Sequence, residues 1–348
     1  MSLRDYRFNG EHASAIDFFK LFFSLCILTI HTNLFRILPS FAEWIVTSVV
    51  LRMAVPYFFI CSGYFYWKKV IKNYESDEWA ESCALGYIKR NIRPFMFFAS
   101  VSLLCNAALA FHREGLEGVM QTIHNSVFYP LGAMWFVSSC MIAAVIITKL
   151  RQHKLALILW ACVGYFFSLI CNSYYFIIDR TIIGNIVDCY LQYFVSARNG
   201  IFVGVFFFGI GRVIAENEVR IQRVVRNHSY LLVLVLLVVQ IIESVILFGR
   251  TMRDDSSLFI TMPFLAAMVF WTSMQAKMPY DPKISFLLRR MSGYLYFLHP
   301  LLNVTIGTII IIFLGNVVIN TCVILSGCAL TWCLTQKSDN KLIRSILP

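Results

Sequence analysis

Residues 13–38 read ASAIDFFKLFFSLCILTIHTNLFRIL, a run apolar enough to enter a lipid bilayer. The run nevertheless carries Asp17, Lys20 and His31. Ionisable groups inside a membrane span are costly, so they usually face a bundle interior or a wet cavity. Lys20 and His31 lie about three helical turns apart, on one face and separated by roughly 16 Å along the axis. This polar stripe, which includes Ser24, predicts a ligand or substrate inside the membrane.

Composition predicts an all-α, polytopic helical bundle. The chain has 348 residues, of which 59% are hydrophobic and 14% charged, and its mean hydropathy is +0.70. A soluble domain has about 25% charged residues, and a helical span needs about 20 apolar ones. Ten spans are predicted, at 14–37, 43–67, 94–111, 131–149, 155–173, 199–215, 229–248, 257–275, 291–313 and 316–336.

The distribution of basic residues predicts the topology. With a cytoplasmic N-terminus, ten spans place 22 of the 30 Lys and Arg residues in inside segments and put the C-terminus in the cytoplasm. This is the positive-inside bias expected of membrane proteins. The net charge of +11 therefore indicates topology and attraction to anionic membrane lipid. Nucleic-acid binding is not expected, because the basic residues are divided among short segments.

Other features of the sequence are consistent with one membrane domain over residues 1–348. No signal peptide is recognised, because the N-terminus is polar and no cleavage pattern follows the first apolar run. The eleven cysteines show neither a C-x-x-C motif nor a zinc-type Cys/His spacing, so they are interpreted as small hydrophobic residues and no metal site is predicted.

The first span supplies the candidate catalytic residues. His31 is a candidate general base, since the unperturbed pKa of histidine lies near neutrality; the alternative is a structural, hydrogen-bonded histidine. Asp17 and Lys20 are an i, i+3 pair on the same stripe. Their alternative interpretation is a mutually neutralising pair at the inner boundary, with Lys20 reaching the interface.

Further candidates for substrate binding lie in later spans. They are Arg52, Ser62, Trp135, Arg198, Asn199, Tyr296 and His299. The alternatives are an inter-helix ion pair for Arg52, an interfacial position for Trp135 and Arg198, and a structural role for His299. Pro56 and Gly63 indicate helix packing, and Glu243 lies inside span seven without an evident partner.

Two connecting segments have predicted structure of their own. Residues 79–93 could form an amphipathic helix at the membrane interface, ending where Pro94 begins the third span. The outside loop 174–198 is long enough to indicate function or local structure.

The sequence as a whole resembles the membrane-bound acyltransferase type 3 family. The resemblance rests on IDFFKLFFSLCILTIH, RMAVPYFFICSGYF, YIKRNIRPFMFF, MWFVSSCM, ARNGIFVGVFFFGIG and GYLYFLHPLL, in this order. It implies transfer of an acetyl or other acyl group from cytoplasmic acyl-CoA to a hydroxyl of a cell-envelope glycan or small acceptor. The family pattern has an Arg and a His in span one with ten residues between them. Here Lys20 and His31 occupy these positions, so the charge is kept and the bidentate guanidinium is lost.

Within this family, ARNGIFVG, DDSSLFITMPFLAAMVF and GYLYFLHPLL resemble the membrane half of vancomycin-resistance serine racemases. That resemblance implies L-serine supply, and nothing in the chain resembles the soluble racemase domain. The leading expectation is an acyl-CoA-dependent O-acyltransferase of the bacterial cytoplasmic membrane. His31 is then the base, and Arg52, Ser62, Arg198 and Tyr296 line the cavity. The alternatives are a small-molecule transporter and a non-catalytic scaffold that works with envelope-synthesis partners.

Overall fold

The protein is described from a computed structural model that covers residues 10–130, 133–225, 228–276, 278 and 281–336. Within these residues the chain is helical and has no β-strand, which confirms the predicted all-α class. The helices are α1 Gly10–His31, α2 Ser40–Ile45, α3 Ala54–Val70, α4 Asp77–Phe128, α5 Met134–Lys149, α6 Lys154–Ile170, α7 Ile182–Phe194, α8 Val205–Val225, α9 Ser229–Leu247, α10 Met262–Gln275, α11 Pro282–Leu302, α12 Thr308–Leu314 and α13 Val317–Gln336.

Six helical segments in the described residues are long and apolar enough to cross a membrane. They are Ser40–Asn73, Asp77–Phe128, Gly200–Val225, Ser229–Leu247, Pro282–Leu314 and Val317–Thr335. Helices α5 and α6 are apolar but shorter, at 16 and 17 residues, and the two other predicted spans coincide with α1 and α10. The chain is therefore a multi-pass membrane protein, while the number of ten spans and the side of each terminus stay predictions.

Helix α4 differs from the sequence prediction. It begins at Asp77, where the Ser76 hydroxyl accepts a hydrogen bond from the Trp79 amide at 3.1 Å. It continues through Pro94 and bends at Gly115, whose φ is +66°. The prediction that a helix starts at Pro94 is therefore wrong. Proline removes only one helical hydrogen bond, a loss that packed membrane helices tolerate.

The loop 174–198, predicted to lie outside, has the local structure that its length indicates. Thr181 accepts a hydrogen bond from the Gly184 amide at 3.1 Å and caps α7. The Asp188 carboxylate of α7 accepts hydrogen bonds from Tyr175 at 2.8 Å and from Arg253 at 3.1 Å. The helix therefore binds the segment that precedes α10.

Three wide π-turns interrupt the helices at one end of the bundle. They are Val46–Val50, Gly200–Gly204 and Asn303–Gly307. We call this the His31 end, because α1 ends there, and the opposite end the Lys20 end. π-Turns inside helices are frequent at functional sites, and these three precede or follow the polar residues described below.

Small residues bring α3 and α8 into backbone contact. A Cβ atom added to Gly211 would overlap with the carbonyl oxygen of Ile60, and one added to Gly63 would overlap with the carbonyl oxygen of Phe208. The interpretation of Gly63 as a packing residue is therefore confirmed. Such close approach is typical of membrane helices, which gain stability from van der Waals packing.

We predict that Gly211→Ala destabilises the protein by about 1–3 kcal/mol, since the added methyl group must push two backbones apart. The measurement is the melting temperature in detergent. Gly209→Ala, two positions along α8, is the matched control, because its Cβ atom would have its nearest neighbour at 4.0 Å. Equal melting temperatures for the two variants would contradict the prediction.

Candidate functional site

Helix α1 borders two cavities, one at each end. The Lys20 cavity has a volume of about 480 Å³ and is lined by Asp17, Lys20 and Ser62, among others. Four cationic side chains line it, namely Lys20, Lys69, Arg90 and Arg289. Asp17 is the one carboxylate that lines it among the described residues. The cavity is therefore positively charged.

Asp17 fixes α1 to α11 at this end. Its carboxylate accepts hydrogen bonds from Ser285 at 2.7 Å and from the Arg289 guanidinium at 2.9 Å. The Lys20 ammonium lies 3.8 Å away. A second contact joins the same helices, since the Ser24 and Ser292 hydroxyls lie 2.8 Å apart. Ser24 therefore contributes to helix packing. Lys20 is the cation of the polar stripe, and its side chain lines the cavity.

The second cavity lies at the His31 end, and we call it the Arg52 cavity. Its volume is about 400 Å³. Four of the residues predicted from the sequence line it together, namely His31, Arg52, Trp135 and Arg198. They come from α1, the turn Leu51–Met53, α5 and the segment before Gly200. The fold therefore collects polar residues that are far apart in sequence.

Asp255 connects the two arginines of this cavity. Its carboxylate accepts a hydrogen bond from Arg52 and lies 2.7 Å from Nη1 of Arg198. Asn172 donates to the same carboxylate at 3.3 Å. Burial would raise the pKa of Asp255, but Arg198 and then Arg52 lower it to about 2. Asp255 is therefore ionised and holds both guanidinium groups in place.

Arg198 is fixed on several sides. Its guanidinium also binds Asp254, with Nη2 at 3.1 Å and Nε at 3.3 Å from the carboxylate oxygens. The same group lies over the rings of Trp135, at 5.2 Å, and Tyr129, at 5.3 Å. Trp135 is thus part of the cavity wall and orients Arg198 by a cation–π contact.

Two buried side chains hold the segment that carries Asp254 and Asp255. The Asn172 amide oxygen accepts hydrogen bonds from the backbone of Ser257 at 2.7 Å and Leu258 at 3.0 Å. Glu243 accepts from the Ile260 amide at 2.6 Å and from the Thr261 amide at 2.9 Å. The backbone of 254–261 is therefore rigidly placed, and the partners of Glu243 are identified.

His31 lies beside a second histidine. The ring centroids of His31 and His299 are 5.1 Å apart. His299 is buried, and its Nδ1 lies 2.6 Å from the Leu295 carbonyl oxygen, while no described residue forms a hydrogen bond with its Nε2. In the part of the chain that the structure describes, the His31 ring receives no hydrogen bond, so its nitrogens are available to a ligand.

Other predicted residues have different positions. Tyr296 donates its hydroxyl hydrogen to the Ala133 carbonyl and packs against Phe136, with ring centroids 5.7 Å apart. Asn199 accepts from the amides of Ile201 and Phe202, at 3.0 and 3.1 Å, and thus caps the Gly200–Gly204 turn. Neither side chain lines the Lys20 cavity or the Arg52 cavity.

The two cavities approach each other closely along α3. Phe58 lines the Lys20 cavity, and Val55 lines the Arg52 cavity. Three residues correspond to about 4.5 Å of helix rise. Phe58 packs against Phe136 and Tyr296, with ring centroids 6.2 and 6.5 Å apart. An aromatic partition therefore separates the cavities, and Tyr296 belongs to it.

Sequence reasoning missed Asp255, Asn172 and Tyr129 as site residues. The signal for Asp255 was present, because two adjacent aspartates precede a span and Arg52 needed an acidic partner. Asn172 and Tyr129 gave no such signal, since neutral polar residues are common at helix ends.

The bundle and its cavities define a multi-pass membrane protein with polar sites at both ends of one helix. The family described as Acyltransferase domain matches residues 14–336, and the chain belongs to this family. Family membership and fold together place it among the membrane acyltransferases in the broad sense.

Curated relatives carry the name of a different activity. The chain is 22% identical to an amino-acid racemase of Enterococcus faecalis over 321 residues, which is 86% of this chain and 42% of that protein. It is 23% identical to a serine/alanine racemase of Enterococcus gallinarum over 262 residues, 73% of this chain and 36% of that protein. The chain thus spans less than half the length of these relatives. No solved structure matches it.

Proposed function

We propose that this protein transfers an acyl group from acyl-CoA, bound at the Lys20 end, to a hydroxyl group at the His31 end. The observation that carries the proposal is the placement of Lys20 and His31 in separate cavities on one helix, about 16 Å apart. We further propose that the protein resides in the bacterial cytoplasmic membrane with the Lys20 end facing the cytoplasm, as the positive-inside pattern requires.

The charge of the Lys20 cavity supports an acyl-CoA donor. Coenzyme A carries several phosphate groups, and four cations with one carboxylate line the cavity. Arg90 offers a planar guanidinium group that can bind phosphate through two hydrogen bonds, and Arg289, which binds Asp17, adds positive charge to the lining. Lys20 contributes a single ammonium group at the inner wall, next to Asp17. Phosphate binding at this end would direct the pantetheine arm along α1 and α3.

The thioester must reach His31 past the aromatic partition. The partition consists of Phe58, Phe136 and Tyr296, and it is about one helical turn thick along α3. Rotation of the Phe58 side chain would join the two cavities. Because the arm of coenzyme A is thin and extended, the acyl group would pass while the nucleotide stays at the Lys20 end.

His31 and the two arginines supply the chemistry at the other end. In the proposed step, His31 removes the proton of the acceptor hydroxyl while the oxygen attacks the thioester carbonyl. Arg52 and Arg198 stabilise the negative charge that develops on the carbonyl oxygen. The carbon–sulfur bond then breaks, His31 returns the proton to sulfur, and free coenzyme A leaves. Asp255 and Asp254 keep the arginines in position.

The donor site is tested by binding of acetyl-CoA to the purified protein in detergent. We expect Lys20→Ala to weaken binding roughly 10–100-fold, which corresponds to the loss of one charge-assisted hydrogen bond of about 1.5–3 kcal/mol. Lys20→Arg is expected to bind at least as well as the wild type, because it keeps the charge and adds a bidentate donor. The measurement is the acetyl-CoA dependence of the melting temperature.

Lys283→Ala is the matched control, since Lys283 is exposed, lies at the same end and does not line the cavity. Free coenzyme A should bind almost as well as acetyl-CoA, because the phosphates supply most of the affinity. A folded wild-type protein that binds neither would rule out the proposed donor site.

One observation favours a second function, transport of an amino acid such as L-serine. The Arg52 cavity combines guanidinium groups with the carboxylate of Asp255, which suits the opposite charges of an amino acid. The names of the relatives, amino-acid racemase and serine/alanine racemase, give amino acids as their substrates. Uptake of L-serine into proteoliposomes without acyl-CoA would support transport, and absence of uptake together with acetyl-CoA binding would support acyl transfer.

A further inference from the structure

A third cavity borders the proposed site at His31. It has a volume of about 300 Å³ and is lined by His31, Arg36, Arg113, Asn303 and Asn320, among others. We call it the Asn320 cavity. His31 lines both this cavity and the Arg52 cavity. A molecule bound here would therefore reach the same imidazole as a thioester in the Arg52 cavity.

The charge of the Asn320 cavity is positive. Arg36 and Arg113 line it, and among the residues that the structure describes no aspartate or glutamate does so. Neither arginine forms an ion pair with a carboxylate in the described parts of the chain. In the Arg52 cavity, by contrast, both arginines bind Asp255. The Asn320 cavity consequently presents two arginines that a ligand anion could neutralise.

A chain of amide groups forms the inner wall of this cavity. The Asn303 amide donates to the His31 carbonyl oxygen at 2.9 Å, and the Asn320 amide donates to the Asn303 side-chain oxygen at 3.3 Å. Asn320 is only 2% exposed, yet its Oδ1 has no hydrogen-bond partner among the described residues. A buried acceptor without a donor is destabilising, and the hydroxyl group of a ligand would supply that donor.

Gly307 lets both amide oxygens pack against the helix backbone. A Cβ atom added there would lie 2.8 Å from the side-chain oxygens of both Asn303 and Asn320. Gly307 itself lines the cavity at the end of the π-turn. The absence of a side chain at this position therefore allows the two asparagines to take their positions in the cavity wall.

We infer that the Asn320 cavity binds the acyl acceptor, and that the acceptor is an anionic polyhydroxy compound of the uronic-acid class. This inference rests on the proposed acyl transfer. The acceptor carboxylate binds Arg36 and Arg113, one hydroxyl donates to Asn320, and another hydroxyl approaches His31. The acyl–sulfur bond of the donor breaks as the acyl–oxygen bond forms, and the hydroxyl proton passes through His31 to the coenzyme A thiol.

The test is direct binding of glucuronate and glucose to the full chain in detergent, followed as saturable thermal stabilisation. Glucuronate is expected to bind at least about tenfold more tightly than glucose, as one to two charge-assisted hydrogen bonds would give. The double variant Arg36→Gln/Arg113→Gln should lose this preference. Gly307→Ala should weaken binding of both sugars, because its methyl group would displace the side chains of Asn303 and Asn320.

Arg180→Gln is the matched control, as Arg180 is an exposed arginine that does not line the cavity. Equal binding of the two sugars, or undiminished glucuronate binding in the double arginine variant, would overturn the inference. Acetyl-CoA binding is measured on the same variants and should be unchanged. If the wild type does not bind acetyl-CoA, the donor proposal is refuted, and the sugar-binding result can still be interpreted on its own.

Discussion

His31→Ala is expected to reduce acyl transfer by about 10²–10⁴-fold, the contribution of a positioned general base. His31 is the one side chain that lines both the Arg52 cavity and the Asn320 cavity among those described. It is therefore the group at which a thioester and a hydroxyl would meet. The measurement is transfer of labelled acetyl from acetyl-CoA to envelope material, in membranes that contain equal amounts of each variant.

The matched control is His153→Ala, since His153 is exposed and lies before α6 at the Lys20 end. Acetyl-CoA binding should be preserved in His31→Ala, because the phosphates bind about 16 Å away. This separates a chemical defect from a folding defect. Undiminished acetyl transfer in His31→Ala would eliminate the base assignment and leave transport as the better hypothesis.

The first span shows how much of the site was readable from the sequence. The polar stripe of Asp17, Lys20 and His31 followed from helix periodicity alone, and α1 presents it as expected. Its division between two cavities could not be predicted. That division depends on two contacts, the hydrogen bond between Ser24 and Ser292 and the aromatic partition that includes Phe58 and Tyr296. Each contact joins residues more than a hundred positions apart in the sequence.

The approximate positions of the apolar helices could also be predicted, because hydropathy is calculated directly along the sequence. The course of α4 was not, since local rules favour a helix start at Pro94 and the packed bundle overrides them. An ion pair for Arg52 could be anticipated, but its partner was not identified, and the partners of Glu243 gave no signal in the sequence. Both arise from the segment 254–261, whose backbone is held by Asn172 and Glu243 rather than by any regular pattern.

Asp255 gives the largest expected effect on stability. Removing one member of a buried ion pair costs about 3–5 kcal/mol, because the remaining charge stays buried without compensation. The side chain of Asp255 is 26% exposed, and those of Arg52 and Arg198 are 20% and 12% exposed. Because these side chains are partly exposed and Arg198 keeps Asp254 as a partner, we expect Asp255→Asn to lower the free energy of unfolding by about 2–3 kcal/mol.

The loss should also be visible as a change in pH dependence. The folded-state pKa of Asp255, about 2, lies below the unfolded value of about 3.9, so its stabilisation is complete above pH 4 and disappears as the pH falls toward 2. The wild type should thus lose melting temperature more steeply below pH 4 than Asp255→Asn does. Asp188→Asn is the control, because Asp188 and Arg253 form a pair that is 41% and 46% exposed and contributes about 0–1 kcal/mol. If both variants melt alike, Asp255 does not organise the two arginines. If only Asp255→Asn is destabilised and it also loses acyl transfer, the same carboxylate stabilises the fold and positions the groups that stabilise the oxyanion.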